Sequence, residues 1–315
     1  MPAPATVDRR TLLALTGGLS LAACTGGPDS RGDGTVSTSS GAPAPGSSSS
    51  GTASGRTGRI SYGDHPSQWV ERQVPEGASR GTVVVLHGGF WREAYGADLG
   101  EPLAADLLAR GWTTLNVEYR RVGGGGGHPQ TFDDVHAAIE LLGDGEGEGG
   151  GNGDGDGSNA RDDGGAGPVV TLGHSAGGHL AAWAASRLDA GWQGRTRVTH
   201  VISQAGVLDL GTAYRERLGS GAARDLVGFG PDDPRFAALD PSQQLPLRAP
   251  VWALHAPDDA QVPITQSQGY VAAARDAGGT AELVEVTGGH FDLIDVTTDA
   301  WARVVEVLDG ISPPR

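Results

Sequence analysis

Four short stretches of this chain are rich in apolar and β-branched residues without a strict polar alternation: Thr82-Val83-Val84-Val85-Leu86, Trp112 to Tyr119, Val169 to Leu172 and Val251 to Leu254. A strand with one face in water alternates apolar and polar side chains, so runs of this kind belong to strands buried on both faces. Between them lie segments with helical periodicity, Leu99 to Leu108, Phe132 to Leu142, Gly178 to Leu188 and Ser267 to Ala277. Buried strands alternating with helices predict an α/β fold, with a mostly parallel sheet covered by helices on both faces. Val198 to Ser203 and Ala281 to Val286 read as further strands, and Ala300 to Leu308 as a closing helix. Ile60-Ser61-Tyr62 and Trp69-Val70-Glu71-Arg72 supply an antiparallel edge. These patterns fill residues 59–312, one domain of about 250 residues, large enough to bury a sizeable core.

The first 58 residues contain almost nothing that forms a core. Arg9 and Arg10 precede an apolar stretch, Thr11 to Leu21, too short for a membrane-spanning helix, which needs roughly 20 apolar residues. The stretch therefore reads as an export signal. The paired arginines with Thr11-Leu12-Leu13 resemble a twin-arginine signal. Leu21-Ala22-Ala23-Cys24 resembles a bacterial lipobox, which implies cleavage before Cys24 and lipidation of that residue. Cys24 is the only cysteine, so no intramolecular disulfide forms. The expectation is an export signal over 1–24 and a Ser/Gly/Pro-rich flexible tether over 25–58. The product would be an exported lipoprotein held at a membrane only through Cys24, or a secreted protein.

A formal charge of −15 argues against nucleic acid as a partner, because phosphate binding needs clustered Lys and Arg. Much of that charge sits in a Gly/Asp-rich insertion over 143–167, where Asp144, Glu146, Glu148, Asp154, Asp156, Asp162 and Asp163 face only Arg161. Its composition is that of a disordered surface loop. A calcium loop is the competing reading, since Asn152, Asp154, Asp156, Gly157 and Asp163 partly match EF-hand spacing. Asn at the first position, Asn159 where an apolar residue belongs, and the lack of flanking helical patterns argue against it, and no metal is expected.

The chemistry-bearing residues lie at strand ends. Gly173-His174-Ser175-Ala176-Gly177 follows one apolar run and opens a helical pattern. A serine on so sharp a turn needs small neighbours, which leaves Ser175 placed as a nucleophile. His87-Gly88-Gly89-Phe90-Trp91 ends the run at Leu86 and so falls at the same sheet edge, where glycines let backbone N–H groups face a developing oxyanion. His255-Ala256-Pro257-Asp258-Asp259-Ala260-Gln261-Val262-Pro263 follows another strand, and spacing alone leaves Asp258 and Asp259 both open as an acid. Gly288-Gly289-His290-Phe291 follows the last strand and places His290 to take the serine proton.

These motifs resemble those of α/β-hydrolases with a His-Gly-Gly-x-Trp motif, a group that includes kynurenine formamidases and small-molecule esterases. The resemblance covers residues 59–312 and implies the α/β-hydrolase fold. It implies a triad of Ser175, Asp259 and His290, the acid following from alignment on Val262-Pro263, with Ala256 where the family has glycine. It also implies an oxyanion hole from the amides of Gly89, Phe90 and Ala176. The remaining motif histidines, His87, His174 and His255, fit loop hydrogen bonding, and Asp209 to Leu247 fits a lid. The expected activity is that of a serine carboxylesterase on small or medium esters, with no cofactor; arylformamidase and exopeptidase are the alternatives. A non-catalytic binding protein of the same fold would have lost a triad member or an oxyanion glycine, and none is replaced.

Overall fold

A computed structural model describes residues 56–143 and 167–311. The export signal, Cys24, most of the tether and the acidic stretch 144–166 lie outside the described residues.

Eight strands form one sheet: β1 (Arg56–Ser61), β2 (Trp69–Val74), β3 (Thr82–Leu86), β4 (Thr113–Glu118), β5 (Val169–His174), β6 (His200–Gln204), β7 (Val251–His255) and β8 (Ala281–Glu285). Their spatial order is β1-β2-β4-β3-β5-β6-β7-β8. The pairings β1 with β2 and β2 with β4 are antiparallel, and all others are parallel. Parallel neighbours need crossovers, and helices α1 (Glu101–Ala109), α2 (Gln130–Glu140), α3 (Ala176–Ser186), α6 (Thr265–Asp276) and α7 (Asp299–Asp309) lie along the chain between or after them.

The period-2 geometry of a strand sends successive side chains to opposite faces, and β3 does so with apolar residues on both. Val83 and Val85 join Leu103, Leu107, Trp301 and Val304 of α1 and α7 in one core. Val84 and Leu86 join Phe132, Leu180, Trp183 and Tyr270 of α2, α3 and α6 in the other. This double burial is why β3 carries no polar alternation.

Chain order reverses at β3. The crossover through α1 leads to β4 on one side, and the crossover through α2 leads back to β5 on the other. Such a reversal opens a crevice at the carboxyl ends of the two strands, where Leu86 lies in register with Gly173.

The region from Asp209 to Leu247, expected as a lid, packs as a cap on the apolar core. Helices α4 (Leu210–Arg215) and α5 (Leu218–Val227) bury Leu210, Ala213, Leu226 and Val227, and the short turn Phe236–Leu239 buries Phe236 and Leu239, in the same core as Phe132 and Trp183. Buried Asp240 accepts the amides of Leu210 and Gly211 at 3.1 Å each. Opening the cap would expose that apolar surface at about 1.5–3 kcal/mol for each large side chain. No helix among the described residues is long and apolar enough to cross a membrane.

Candidate active site

Between the end of β5 and the start of α3 the chain turns on Ser175, whose φ and ψ are 55° and −117°. A non-glycine residue at such a φ carries strain of about 1–3 kcal/mol, held only by firm surroundings. Ser175 N donates to the carbonyl of Gln204 at 2.8 Å. The flanking glycines are required by close approach: a Cβ on Gly173 would lie 2.0 Å from the carbonyl oxygen of Gly177, and one on Gly177 would lie 2.0 Å from that of Leu86.

The loop after β3 lies directly beside this turn, and a Cβ on Gly88 would come within 3.2 Å of the Ser175 Cβ. Gly89, Phe90 and Trp91 follow with φ of 106°, 53° and 55°. All three lie in the left-handed region, which for Phe90 and Trp91 is strained and needs firm surroundings. The amides of Gly89 and Phe90 donate to no acceptor among the described residues. Ala176 opens α3, where an N–H has no intrahelical acceptor. The three sequence-expected donors thus border the turn at Ser175 with free N–H groups.

Trp91 joins the two halves of this arrangement. Its buried indole Nε1–H donates to the carbonyl of Ala176 at 3.1 Å, linking the β3 loop to the first residue of α3. From behind, Tyr119 donates its hydroxyl to the His87 carbonyl at 2.8 Å, and the two rings stack at 4.3 Å. Burial, together with the nearby Arg121 charge, pulls His87 down to about 3, so its imidazole is neutral at physiological pH.

His290 reaches the same edge on the loop after β8, and its Nδ1 lies 2.6 Å from Oδ2 of Asp259. The Asp259 side chain has no exposed surface, and its Oδ1 accepts the amides of Gln261 and Val262 at 2.7 and 2.9 Å. Burial alone would raise this carboxyl. The neighbouring His255 and His290 imidazoles and the Val262 and Gln261 amides outweigh it and hold the group well below the usual carboxylate range. Asp258, left open by spacing, is exposed, and its carboxylate makes no hydrogen bond to His290. His174 donates Nε2–H to the His290 carbonyl at 2.8 Å and packs its ring 4.4 Å from that of His290. Burial and the proximity of His290 draw His174 down to about 3. Asp292 fixes the same loop by accepting the Gly289 amide at 2.7 Å.

The structure therefore brings Ser175, His290, Asp259 and the amides of Gly89, Phe90 and Ala176 to one edge of the sheet. Sequence reasoning missed Trp91 as the tie between loop and helix, and it missed Asp292. Trp91 stands in a recognisable motif, but its partner is 85 residues away. Among the described residues no group of three or more His, Cys, Asp or Glu side chains is gathered as a metal ion would require.

Known proteins share this architecture. Esterase LipQ of Mycobacterium tuberculosis is 28% identical over 242 residues, 71% of this chain and 53% of its own length, so the chain spans about half of that curated relative. Among solved structures, esterase B from Lactobacillus rhamnosis, inhibited by a tributyrin phosphonate, superposes with a TM-score of 0.65 at 20% identity, over 81% of this chain and 84% of that one. A carbohydrate esterase from gut microbiota superposes with a TM-score of 0.64 at 19% identity, over 82% and 96% of the two chains. Residues 83–308 match the model of the alpha/beta hydrolase family, and by that match, which spans the sheet from β3 to α7, the chain belongs to it.

Proposed function

We propose that the protein is a serine hydrolase that cleaves carboxylic esters of small or medium size through an acyl-enzyme intermediate. The observation that carries this reading is the 2.6 Å contact between His290 Nδ1 and buried Asp259, at the same sheet edge as a serine on a strained strand-to-helix turn. His290 takes the hydroxyl proton of Ser175 on Nε2 as Oγ attacks the ester carbonyl. Asp259 holds the ring in the Nδ1–H tautomer and stabilises the imidazolium. The amides of Gly89, Phe90 and Ala176 donate to the oxyanion. The imidazolium then protonates the departing alcohol, and water, deprotonated by His290, releases the acid and restores Ser175. Relatives and structural neighbours named as esterases support ester substrates over formamides or peptides.

The test is labelling of Ser175 by a fluorophosphonate, followed by turnover of p-nitrophenyl esters of increasing acyl length, with N-formylkynurenine and an aminoacyl anilide alongside. Ester turnover that Ser175→Ala removes, a loss on the order of 10⁶, is the expected result. Failure to label, or preferred turnover of the formamide or anilide, refutes it. The same reading places the enzyme at a membrane through a lipid on Cys24. Cys24→Ser should move activity from the membrane to the soluble fraction with esterase constants unchanged, and an unmodified Cys24 with residues 1–23 still attached would disprove that placement.

A further inference from the structure

Both oxygens of the Asp259 carboxylate are used. Oδ1 accepts two backbone amides. Oδ2 lies 2.6 Å from His290 Nδ1 and 3.5 Å from His255 Nε2. His255 is the last residue of β7 and is wholly buried. Its Nε2 also lies 2.9 Å from the Val262 carbonyl. An ionised carboxylate and a carbonyl can only accept, so Nε2 carries a hydrogen whatever the charge on the ring. At the far side, Nδ1 of His255 meets Oγ of Ser267, in the first turn of α6, at 2.7 Å. Ser267 is itself fully buried. The ring is therefore held at both nitrogens, with its Nε2–H bonded to the Val262 carbonyl and Asp259 Oδ2 a longer 3.5 Å from the same nitrogen.

We propose that His255, seated by Ser267, is a positioning residue for the triad: its Nε2–H keeps the Asp259 carboxylate turned toward His290 and takes up part of that carboxylate's charge. The proposal rests on the triad reading above. A carboxylate oxygen shared between two N–H groups binds each less strongly than it would bind one alone. His255 thereby moderates how firmly Asp259 stabilises the His290 imidazolium, and so the pH below which His290 stops acting as a base. The other groups facing this pair are few. His174, from β5, is neutral through the working range because burial draws it to about 3. Asp292 is engaged by the Gly289 amide, Phe291 presents its ring to His290 at 5.1 Å, and Asp258 is exposed.

His255→Leu removes the donor and keeps apolar bulk, leaving Oδ2 to His290 alone. The readouts are the pH profiles of kcat/KM on p-nitrophenyl acetate and of the rate at which a fluorophosphonate labels Ser175. In this variant the acid limb of both profiles should move to higher pH by about half a unit or more, because the imidazolium gains the full carboxylate charge. The alkaline plateau should fall about tenfold, with KM changed less than about threefold, as expected of lost alignment. His255→Gln, which retains an N–H able to reach Asp259, should restore most of the limb. Should the leucine variant not fold, Ser267→Ala removes only the hydroxyl behind the ring and should shift the limb in the same direction by a smaller amount. A limb that stays in place or moves to lower pH, in His255→Leu or, where that variant does not fold, in Ser267→Ala, overturns the proposal. A wild-type enzyme that neither labels at Ser175 nor hydrolyses esters instead refutes the functional reading.

Discussion

Replacement of Trp91 by Phe tests whether the two halves of the oxyanion site are held together by one indole. The substitution deletes the Nε1–H bond to the Ala176 carbonyl and part of a fully buried ring. A net hydrogen bond contributes about 0.5–1.5 kcal/mol and a modest cavity about as much again, so the fold should lose about 1–3 kcal/mol. Stability alone does not separate a structural role from a functional one, but Trp183 supplies a matched control. It is equally buried in the same core, and its Nε1 donates to the Ala238 carbonyl at 3.2 Å in the cap rather than at the β3 loop. Trp183→Phe should therefore cost similar stability and leave turnover within about twofold. In Trp91→Phe the Gly89 and Phe90 amides lose their tie to Ala176. Losing one oxyanion donor outright costs about 10²–10³ in kcat, and a loosened pair should cost about tenfold. The assay is kcat and KM on p-nitrophenyl acetate beside the inhibition constant of a trifluoromethyl ketone, whose adduct carries the oxyanion. Loss of kcat and of ketone affinity in parallel, with KM little changed, is expected for Trp91→Phe alone. Equal losses in both variants, or full activity in Trp91→Phe, would refute the reasoning.

Three further outcomes follow from the same geometry. Asp259→Asn keeps the shape but loses the charge and the tautomer control, so kcat should fall about 10⁴-fold, whereas Asp258→Asn should cost less than about tenfold; steady-state kinetics on both variants, with folding checked by circular dichroism, decides, and a larger loss at Asp258 contradicts the contact at His290. Gly173→Ala and Gly177→Ala should each abolish soluble expression or lower the melting temperature by more than 10 °C, roughly the consequence of forcing a Cβ into a backbone carbonyl. Acid should destabilise the protein well before its carboxylates titrate, because burial lowers His87 and His174 to about 3 and His179 to about 4. Between an unfolded-state value near 6.5 and those folded-state values the unfolded chain binds more protons, so stability is present above about pH 6.5 and falls as pH drops through this window, by about 2 kcal/mol per histidine on reaching pH 5. Urea melts at pH 7 and pH 5 should differ by at least about 3 kcal/mol, and equal midpoints would show that these rings are not buried neutral.

The sheet was readable because its information is local. Val83 to Leu86 need no partner to reveal that both faces are covered, and the pattern predicts β3 with the bounds observed. The antiparallel edge was read from short apolar pairs, and β1 begins just ahead of the expected domain boundary, at Arg56. The candidate site was readable because each of its parts follows a recognisable strand in a short motif, although the close approaches that require its small residues are partly remote: a Cβ on Gly173 would meet Gly177, but one on Gly177 would meet Leu86 and one on Gly88 would meet Ser175. What stayed hidden depends on which remote groups meet. Asp258 and Asp259 are adjacent and chemically identical, and only the turn that buries one side chain and exposes the other separates them. How Asp209 to Leu247 packs was hidden on the same point. The apolar residues of α4 and α5 have the spacing of an amphipathic segment, and nothing within that segment says whether the covered face is a mobile contact or the core itself. That Phe132 and Trp183 receive it is a fact about helices distant in the sequence.

His255 shows how far a local motif can conceal its own chemistry. From the sequence it is a histidine at the end of a strand, whose nearest candidate acceptors are loop carbonyls, and one of its contacts is indeed the Val262 carbonyl. The contact proposed to bear on catalysis involves the same nitrogen, 3.5 Å from Asp259 Oδ2. Asp259 lies one helical turn further along the chain, and the loop must fold back before its carboxylate comes to 3.5 Å. Ser267, which holds the opposite ring nitrogen, belongs to the next helix. A buried carboxylate needs more donors than one imidazole supplies, so burial of Asp259 itself calls for further donors behind it. The Gln261 and Val262 amides on Oδ1 and His290 on Oδ2 are the form that requirement takes in this protein, and the proposed part of His255 adds to them from 3.5 Å.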